Sequence, residues 1–377
     1  MARNPLKQLK EFGQSVWLDF IRRDLMIGGK LHRLIAEDGL RGMTSNPAIF
    51  EKSIVESGDY DKEVDRLVHE GRDPIGIYEA LSQKDVIDAA DLFRQVYDST
   101  DGRDGYVSLE VNPHLAHDTI GTIEEARRLW RTLNRPNVFV KVPATDEGLP
   151  AIEQLISEGI NVNITLLFAH SRYRQVADAY LAGLEKRLAQ GKPIDRVASV
   201  ASFFVSRIDG LVDPMLEKIM LEGGPKAEDA RRARGQVAVA CAKIAYRMYK
   251  QDVGANRFLA LIKKGASPQR LLWASTSTKT PLYSDVKYVD ALIGPNTITT
   301  VPMETLDAFR DHGDPLTRLE QDMPLAESIL AQLPDLGISL DQVTSQLEND
   351  GIAKFIQPFD KLLESLHRAS EQMVVHQ

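Results

Sequence analysis

NVFVKVPAT, residues 137–145, surrounds one lysine, Lys141, with Val138, Phe139, Val140 and Val142. The apolar run reads as a strand buried on both faces, as in a parallel sheet. A lysine in its middle must shed water from an ammonium, which is costly unless the group is paired or gives up its charge. The stretch therefore predicts a parallel α/β fold and raises a chemical question about Lys141.

Seven other runs share this character: residues 15–21, 40–46, 106–112, 161–168, 196–205, 270–276 and 297–302. Amphipathic segments lie between them. Residues 119–134 form one, with Asp118 placed to cap it, and residues 171–191 another, with Ser171 as expected N-cap and Gly191 just past its end. Eight strand–helix units predict a closed (β/α)8 TIM barrel. An open doubly wound sheet is the alternative, but it usually carries a G-x-G-x-x-G turn, and the sequence has none. Residues 47–105, 206–269 and 303–350 hold helical patterns beyond one return helix each, and 352–373 reads as a C-terminal helix able to cover one end of the barrel. No Ser/Gly-rich linker or repeat divides residues 1–377, which predicts a single domain.

The 377 residues, 43% hydrophobic and 27% charged, suit a globular protein. A net charge of -8 argues against nucleic acid as a partner, while an anionic small substrate needs only a local basic pocket. Cys241 is the only cysteine, so neither a disulfide framework nor a thiolate metal site is available. The N-terminus lacks an apolar signal core, and no apolar run approaches the ~18 residues of a membrane helix. These features predict a cytoplasmic protein with no membrane partner.

Several strands carry a polar residue late in an apolar run: Asp19, Glu110, Lys141, Asn163 with Thr165, and Ser202. Asn163 and Thr165, two apart, point to the same face. In a parallel barrel the C-terminal ends of the strands are where active sites form. The charges can be read as structural ion pairs, but buried pairs seldom improve stability over apolar packing. A desolvated lysine holds its proton less tightly, and its neutral amine can attack a ketone to form a Schiff base. The protonated imine stabilises a neighbouring carbanion, and nearby carboxylates move the protons that C–C cleavage requires. One Lys, one Asp and one Glu on separate strands are the minimum set for a class I aldolase-type reaction.

The motifs VWLDFIRRDL, GLRGMTSNPAIFEKSI, YVSLEVNP, FVKVPAT, GINVNITLLF, ASFFVSRIDGLVD and LLWASTSTK resemble those of the transaldolases, over roughly residues 12 to 310. TSNP and KVPAT carry the likeness together, and the length is similar to that of the longer subgroup. The resemblance implies a (β/α)8 barrel that moves a dihydroxyacetone unit on a lysine, with no cofactor and no metal. The implied reaction takes sedoheptulose 7-phosphate and glyceraldehyde 3-phosphate to erythrose 4-phosphate and fructose 6-phosphate. By resemblance Lys141 is the Schiff-base lysine and Asp19 the acid/base of C–C cleavage. Glu110, with Thr165 and a water, is the relay for dehydration. Asn46 and Asn163 are implied ligands of the donor hydroxyls. Ser202 and Arg207 belong to the acceptor and phosphate side, where a guanidinium is a good partner, with Phe204 beside the lysine pocket. A monomer or homodimer is implied.

One departure is visible. Where short members of the family end the seventh strand in Ser-Phe-Arg, this chain has Ser275-Thr276-Ser277, and Lys279 is the nearest cation. This motivates a second reading, an aldolase releasing free dihydroxyacetone or accepting plain aldehydes. A non-catalytic sugar-phosphate sensor is a third, but it has no need of a buried amine. His114 and His117 form an H-x-x-H without a nearby third ligand, so they read as solvated or capping residues. The sequon at Asn163 lies in a predicted buried strand and is discounted. Lys263 and Lys264 read as solvated surface. Residues 228–250 read as a helix on the barrel, with Cys241 buried and inert; Trp17 and Trp273 read as core.

Overall fold

In the computed structural model, which describes residues 4–375, every predicted strand is present. They are β1 (Gln14–Asp19), β2 (Gly42–Thr44), β3 (Tyr106–Glu110), β4 (Val138–Pro143), β5 (Val162–Leu167), β6 (Ser199–Phe204), β7 (Arg270–Ala274) and β8 (Thr297–Val301). All pair in parallel and in sequence order, and β8 returns to β1 to close the barrel. The strands are shorter than the apolar runs because the flanking residues turn into loops and caps. In TSNP, for example, Asn46 leaves the sheet to cap the helix Pro47–Val55, its Oδ1 accepting from the Ile49 N–H at 3.0 Å.

Alternation sorts each strand between the barrel interior and the surrounding helices. The middle of the interior is aromatic. Phe139 stacks on Tyr106 with ring centroids 4.3 Å apart and on Trp17 at 6.1 Å. Gly42 makes room for the indole, since a Cβ there would lie 2.6 Å from Trp17 Cδ2. This plug closes the barrel beneath the polar residues, so the interior is a packed core with one working end. Trp273 is also fully buried.

The long connections hold the extra helices. Pro47–Val55, Asp61–His69 and Pro74–Ser99 separate β2 from β3, and four helices from Ser206–Glu222 to Asn256–Ile262 separate β6 from β7. The helix Thr119–Leu133 starts at its expected cap, Asp118 Oδ1 accepting from the Gly121 N–H at 2.9 Å. The next expectation fails in part. The helix His170–Ala189 is entered through extended Ala169, so Ser171 lies inside the first turn and caps nothing, whereas Gly191 takes the left-handed turn after the end. Residues 228–250 also differ from expectation, forming two helices, Ala227–Ala233 and Val237–Gly254, because the chain extends at Arg234. Cys241 is buried there, and burial pushes its thiol up.

The C-terminal helix, Leu340–Val375, begins earlier than expected and crosses the C-terminal mouth, against Pro47–Val55 and the end of β5. No helix among the described residues is long and apolar enough to cross a membrane.

Candidate active site

Parallel register makes Glu110, Lys141 and Asn163 neighbours, since Glu110 pairs with Lys141 and Lys141 with Asn163 on three successive strands. Equal positions on adjacent parallel strands face the same way, so three polar side chains crowd one level of the interior. Lys141 is 5% exposed. Its Nζ lies 2.7 Å from Glu110 Oε1 and donates to the Ser45 carbonyl at 2.9 Å. Beyond that ion contact neither Glu110 oxygen is hydrogen-bonded, and the buried Thr165 hydroxyl has no partner.

Thr165 owes its position to an irregularity. The register between β5 and β6 shifts between Ile164 and Leu167, and Leu166 has a φ of +57°. A bulky residue in that region is a genuine outlier, and a bulge of this kind re-aims its neighbours. Ser275, at the end of β7, is the other left-handed residue at this mouth, with a φ of +55°.

Above these groups opens a cavity of about 380 Å³, of the size that holds a small ligand. Asp19, Lys141 and Thr165 line its base. Asp19 Oδ1 accepts from Thr44 Oγ1 at 2.7 Å, and Thr44 meets Thr300 at 2.8 Å. Ser202, Phe204 and Arg207 form another side, with Asn46, Ser275 and Lys279 nearer the rim. The structure thus brings together nearly all the residues singled out in the sequence.

Two residues sit differently. Glu110 faces a separate cavity of about 20 Å³, shared with Lys141, Thr165 and Phe355. That volume has room for one water, which needs about 10–15 Å³, but only apolar atoms face it. Asn163 is fully buried beneath the large cavity. Its Nδ2 donates to Ser108 at 3.1 Å and its Oδ1 accepts from Ser202 at 2.6 Å, so it touches the cavity through Ser202.

The electrostatics follow from burial. Desolvation raises the Asp19 and Glu110 carboxyls above their usual range, and the charge of Lys141 opposes this at both. Desolvation also lowers the Arg207 guanidinium from its ordinary value, against the pull of Asp19 and Glu110. Arg207 lies over the Phe204 ring at 5.1 Å, and its buried Nη1 has no acceptor. An unpartnered buried guanidinium nitrogen is a ready seat for an anion. Lys279 is more open, an exposed residue at the rim 2.6 Å from Ser277 Oγ, although desolvation of its ammonium still holds it below its ordinary value.

Sequence reasoning missed Phe355, Lys52 and Glu304, which also line the large cavity. Phe355 is an apolar position on an amphipathic helix, with no local sign that it faces a site. Lys52 lies within the quoted TSNPAIFEK stretch, three and four residues after Ile49 and Ala48, which line the same cavity. The two histidines of the H-x-x-H lie on the surface. His114 pairs with Asp360 at 2.7 Å and His117 with Glu147 at 3.0 Å, both exposed, and no metal-ligand cluster occurs among the described residues.

Comparison with known proteins gives the family. Residues 16–366 match the family model described as Transaldolase/Fructose-6-phosphate aldolase. The Transaldolase of Trichodesmium erythraeum is 48% identical over 99% of both chains. Transaldolase 2 of Nostoc sp. is 47% identical over 97% of both. The Transaldolase of Thiobacillus denitrificans is 46% identical over 96% of this chain and 99% of its own.

Proposed function

The chain belongs to the transaldolase/fructose-6-phosphate aldolase family, and from that premise we propose that it transfers a dihydroxyacetone unit from sedoheptulose 7-phosphate to glyceraldehyde 3-phosphate through an imine on Lys141. The observation that carries the assignment to Lys141 is its buried ammonium, 2.7 Å from an otherwise unbonded carboxylate, at the base of a ligand-sized cavity. Erythrose 4-phosphate and fructose 6-phosphate are the products.

The geometry supports a definite sequence. The Lys141 amine adds to the C2 carbonyl of the donor and forms a carbinolamine. Glu110, whose carboxyl is pushed towards its protonated form by burial, delivers a proton through a water beside Thr165, and hydroxide departs as water. Asp19 then takes the C4 hydroxyl proton, the C3–C4 bond breaks, and the aldehyde leaves. The remaining carbanion is stabilised as an enamine until an acceptor aldehyde arrives and the steps reverse. Asn46 has its amide nitrogen available for the donor hydroxyls, while Asn163 acts on that side by holding Ser202. Arg207 takes the acceptor phosphate, with Ser275 and Lys279 completing that end.

The same reading treats residues 1–377 as one domain of a cytoplasmic enzyme, a monomer or homodimer. Adding fructose 6-phosphate and borohydride, then weighing the peptides, tests it. A reduced three-carbon adduct on the peptide holding Lys141 is expected, and a folded, substrate-binding protein without that adduct would end the proposal. The lack of the arginine that the short-member resemblance implies, with Ser277 in its place and exposed Lys279 two positions on, favours the second reading enough to test. Rates with phosphorylated and plain aldehydes are compared, and a strong phosphate preference removes the relaxed acceptor.

A further inference from the structure

Lys141, Thr165 and Phe355 line both the substrate cavity and the water-sized cavity beside it. The first two have chemistry to perform. Phe355 has none, and it comes from the C-terminal helix Leu340–Val375 rather than from the barrel. Its ring is 7% exposed, with its centroid 5.9 Å from Lys141 Nζ and 6.0 Å from Arg207 Cζ. It therefore stands as an apolar wall where the two cavities meet, against both cations. The helix is seated tightly enough to hold it there. Gly351, one turn earlier, approaches β5 so closely that a Cβ would lie 2.9 Å from Leu166 Cδ2 and 3.5 Å from Arg207 Nη1. Ile352 closes the small cavity from the same helix.

A wall here matters because the loaded enzyme faces a choice. After the first aldehyde leaves, the enamine can attack a second aldehyde, or it can be lost to water. Loss takes two steps. The enamine carbon gains a proton, giving the imine of dihydroxyacetone. Water then adds to the imine carbon and the C–N bond breaks, giving free dihydroxyacetone and the Lys141 amine. The sum is enamine plus one water to ketone plus amine. Dehydration of the carbinolamine leaves a water and the Glu110 carboxyl beside the imine, and an empty acceptor side admits further water. An aromatic ring between the compartments limits which water reaches the imine carbon.

We propose that Phe355 is a specificity-determining residue that sets the ratio of transfer to release by separating the relay water from the acceptor compartment. This rests on the reading of Lys141 as the imine-forming residue. The test is Phe355→Ala in the full chain. Free dihydroxyacetone formed from fructose 6-phosphate without acceptor is measured beside transfer to erythrose 4-phosphate. The ratio of release to transfer is expected to rise about tenfold, equivalent to ~1.4 kcal/mol in relative barrier. A ring needed only for packing would lower both rates together, so an unchanged ratio in folded protein overturns the proposal. If the alanine variant fails to fold, Phe355→Val carries the same measurement, with a smaller rise expected and an unchanged ratio again decisive against it. Borohydride trapping on the unaltered protein separates the two failures. With an adduct on Lys141 and an unchanged ratio, only the role of Phe355 falls; without an adduct, the imine reading falls and takes this inference with it.

Discussion

The barrel buries two ion pairs, one at each end, and they are built oppositely. At the N-terminal end Arg270 meets Asp104 at 2.8 Å; at the C-terminal end Lys141 meets Glu110 at 2.7 Å. Burial does not distinguish them, since the side chains are 7% and 8% exposed in the first pair and 6% and 7% in the second. Satisfaction does. Arg270 also donates to Ser15 at 3.0 Å and to the Arg103 carbonyl, while Asp104 accepts from Ser15 at 2.8 Å and from Trp17 at 3.4 Å. Glu110 has only Lys141, and both face cavities. A fully bonded buried network rigidifies, whereas a half-bonded one waits for something. The same elementary interaction therefore serves structure at one end and chemistry at the other.

The largest test of that contrast is Lys141→Met. Removing the imine-forming amine is expected to lower transfer ~10⁴-fold or more, the loss seen when a covalent nucleophile is deleted. Stability should change little. Glu110, left without its cation, can become neutral because burial already raises its carboxyl. A coupled transfer assay and a thermal melt on the same sample read both quantities. A melting point that collapses along with activity would place Lys141 with Arg270 as a structural cation.

Asp19→Asn probes the same end more gently. It keeps the acceptor oxygen for Thr44 and deletes only the ionisable group, so transfer is expected to fall ~10²–10⁴-fold, the usual contribution of a general acid or base. Its stability effect has a definite sign. Burial raises the Asp19 carboxyl, so the folded state favours the neutral form. The resulting stability is fully present below the ordinary carboxylate value and is lost as pH rises through the raised one. The asparagine variant should therefore melt higher than the natural protein near pH 8, and the gap should close as pH falls towards the ordinary aspartate value of about 3.9. Melts across that range check it; a gap that widened in acid would show that Asp19 is stabilising as an anion.

Sequence and structure agree at the working end because the signals there are local. A charge inside an apolar strand, as at Lys141 or Glu110, contradicts its own neighbours and so is visible in the sequence. Strand order and closure follow from the same runs. What escaped depends on distance. Arg270 opens an apolar run and Asp104 sits in a loop, so neither contradicts its surroundings, and their pairing exists only once the barrel closes. Phe355 looks like any core position of an amphipathic helix until that helix crosses the mouth. The failed Ser171 cap is a smaller case, because the turn out of β5 at Ala169 set the start of the helix rather than capping preference.

Arg270→Met tests the structural end. It leaves Asp104 buried without its cation, and breaking a buried pair by removing one partner costs about 3–5 kcal/mol. Denaturant midpoints should fall accordingly, while the folded fraction keeps its transfer rate, because the aromatic plug of Trp17, Tyr106 and Phe139 lies between Arg270 and the cavity. Losing rate per folded molecule instead would mean that the two ends are coupled through the barrel.

The smallest effect is expected at Lys279, and it sharpens the contrast by asking what a cation does when it is not buried. Arg207 is enclosed by Phe204 and Phe355 with a free Nη1, so a phosphate there meets a desolvated charge. Lys279 is an exposed residue at the rim, its ammonium only partly desolvated, and an ion pair of an exposed residue is worth roughly 1 kcal/mol or less. Lys279→Ala should therefore raise KM for glyceraldehyde 3-phosphate only about fivefold, leave kcat and the melting point unchanged, and leave plain glyceraldehyde unaffected. Added salt should shrink the difference, because screening acts mainly on exposed charges. An equal KM rise for both aldehydes would mean that Lys279 shapes the rim rather than binding phosphate. A rise as large as that of Arg207→Ala would mean that the rim closes over bound substrate and buries Lys279, making it a second desolvated cation for the phosphate.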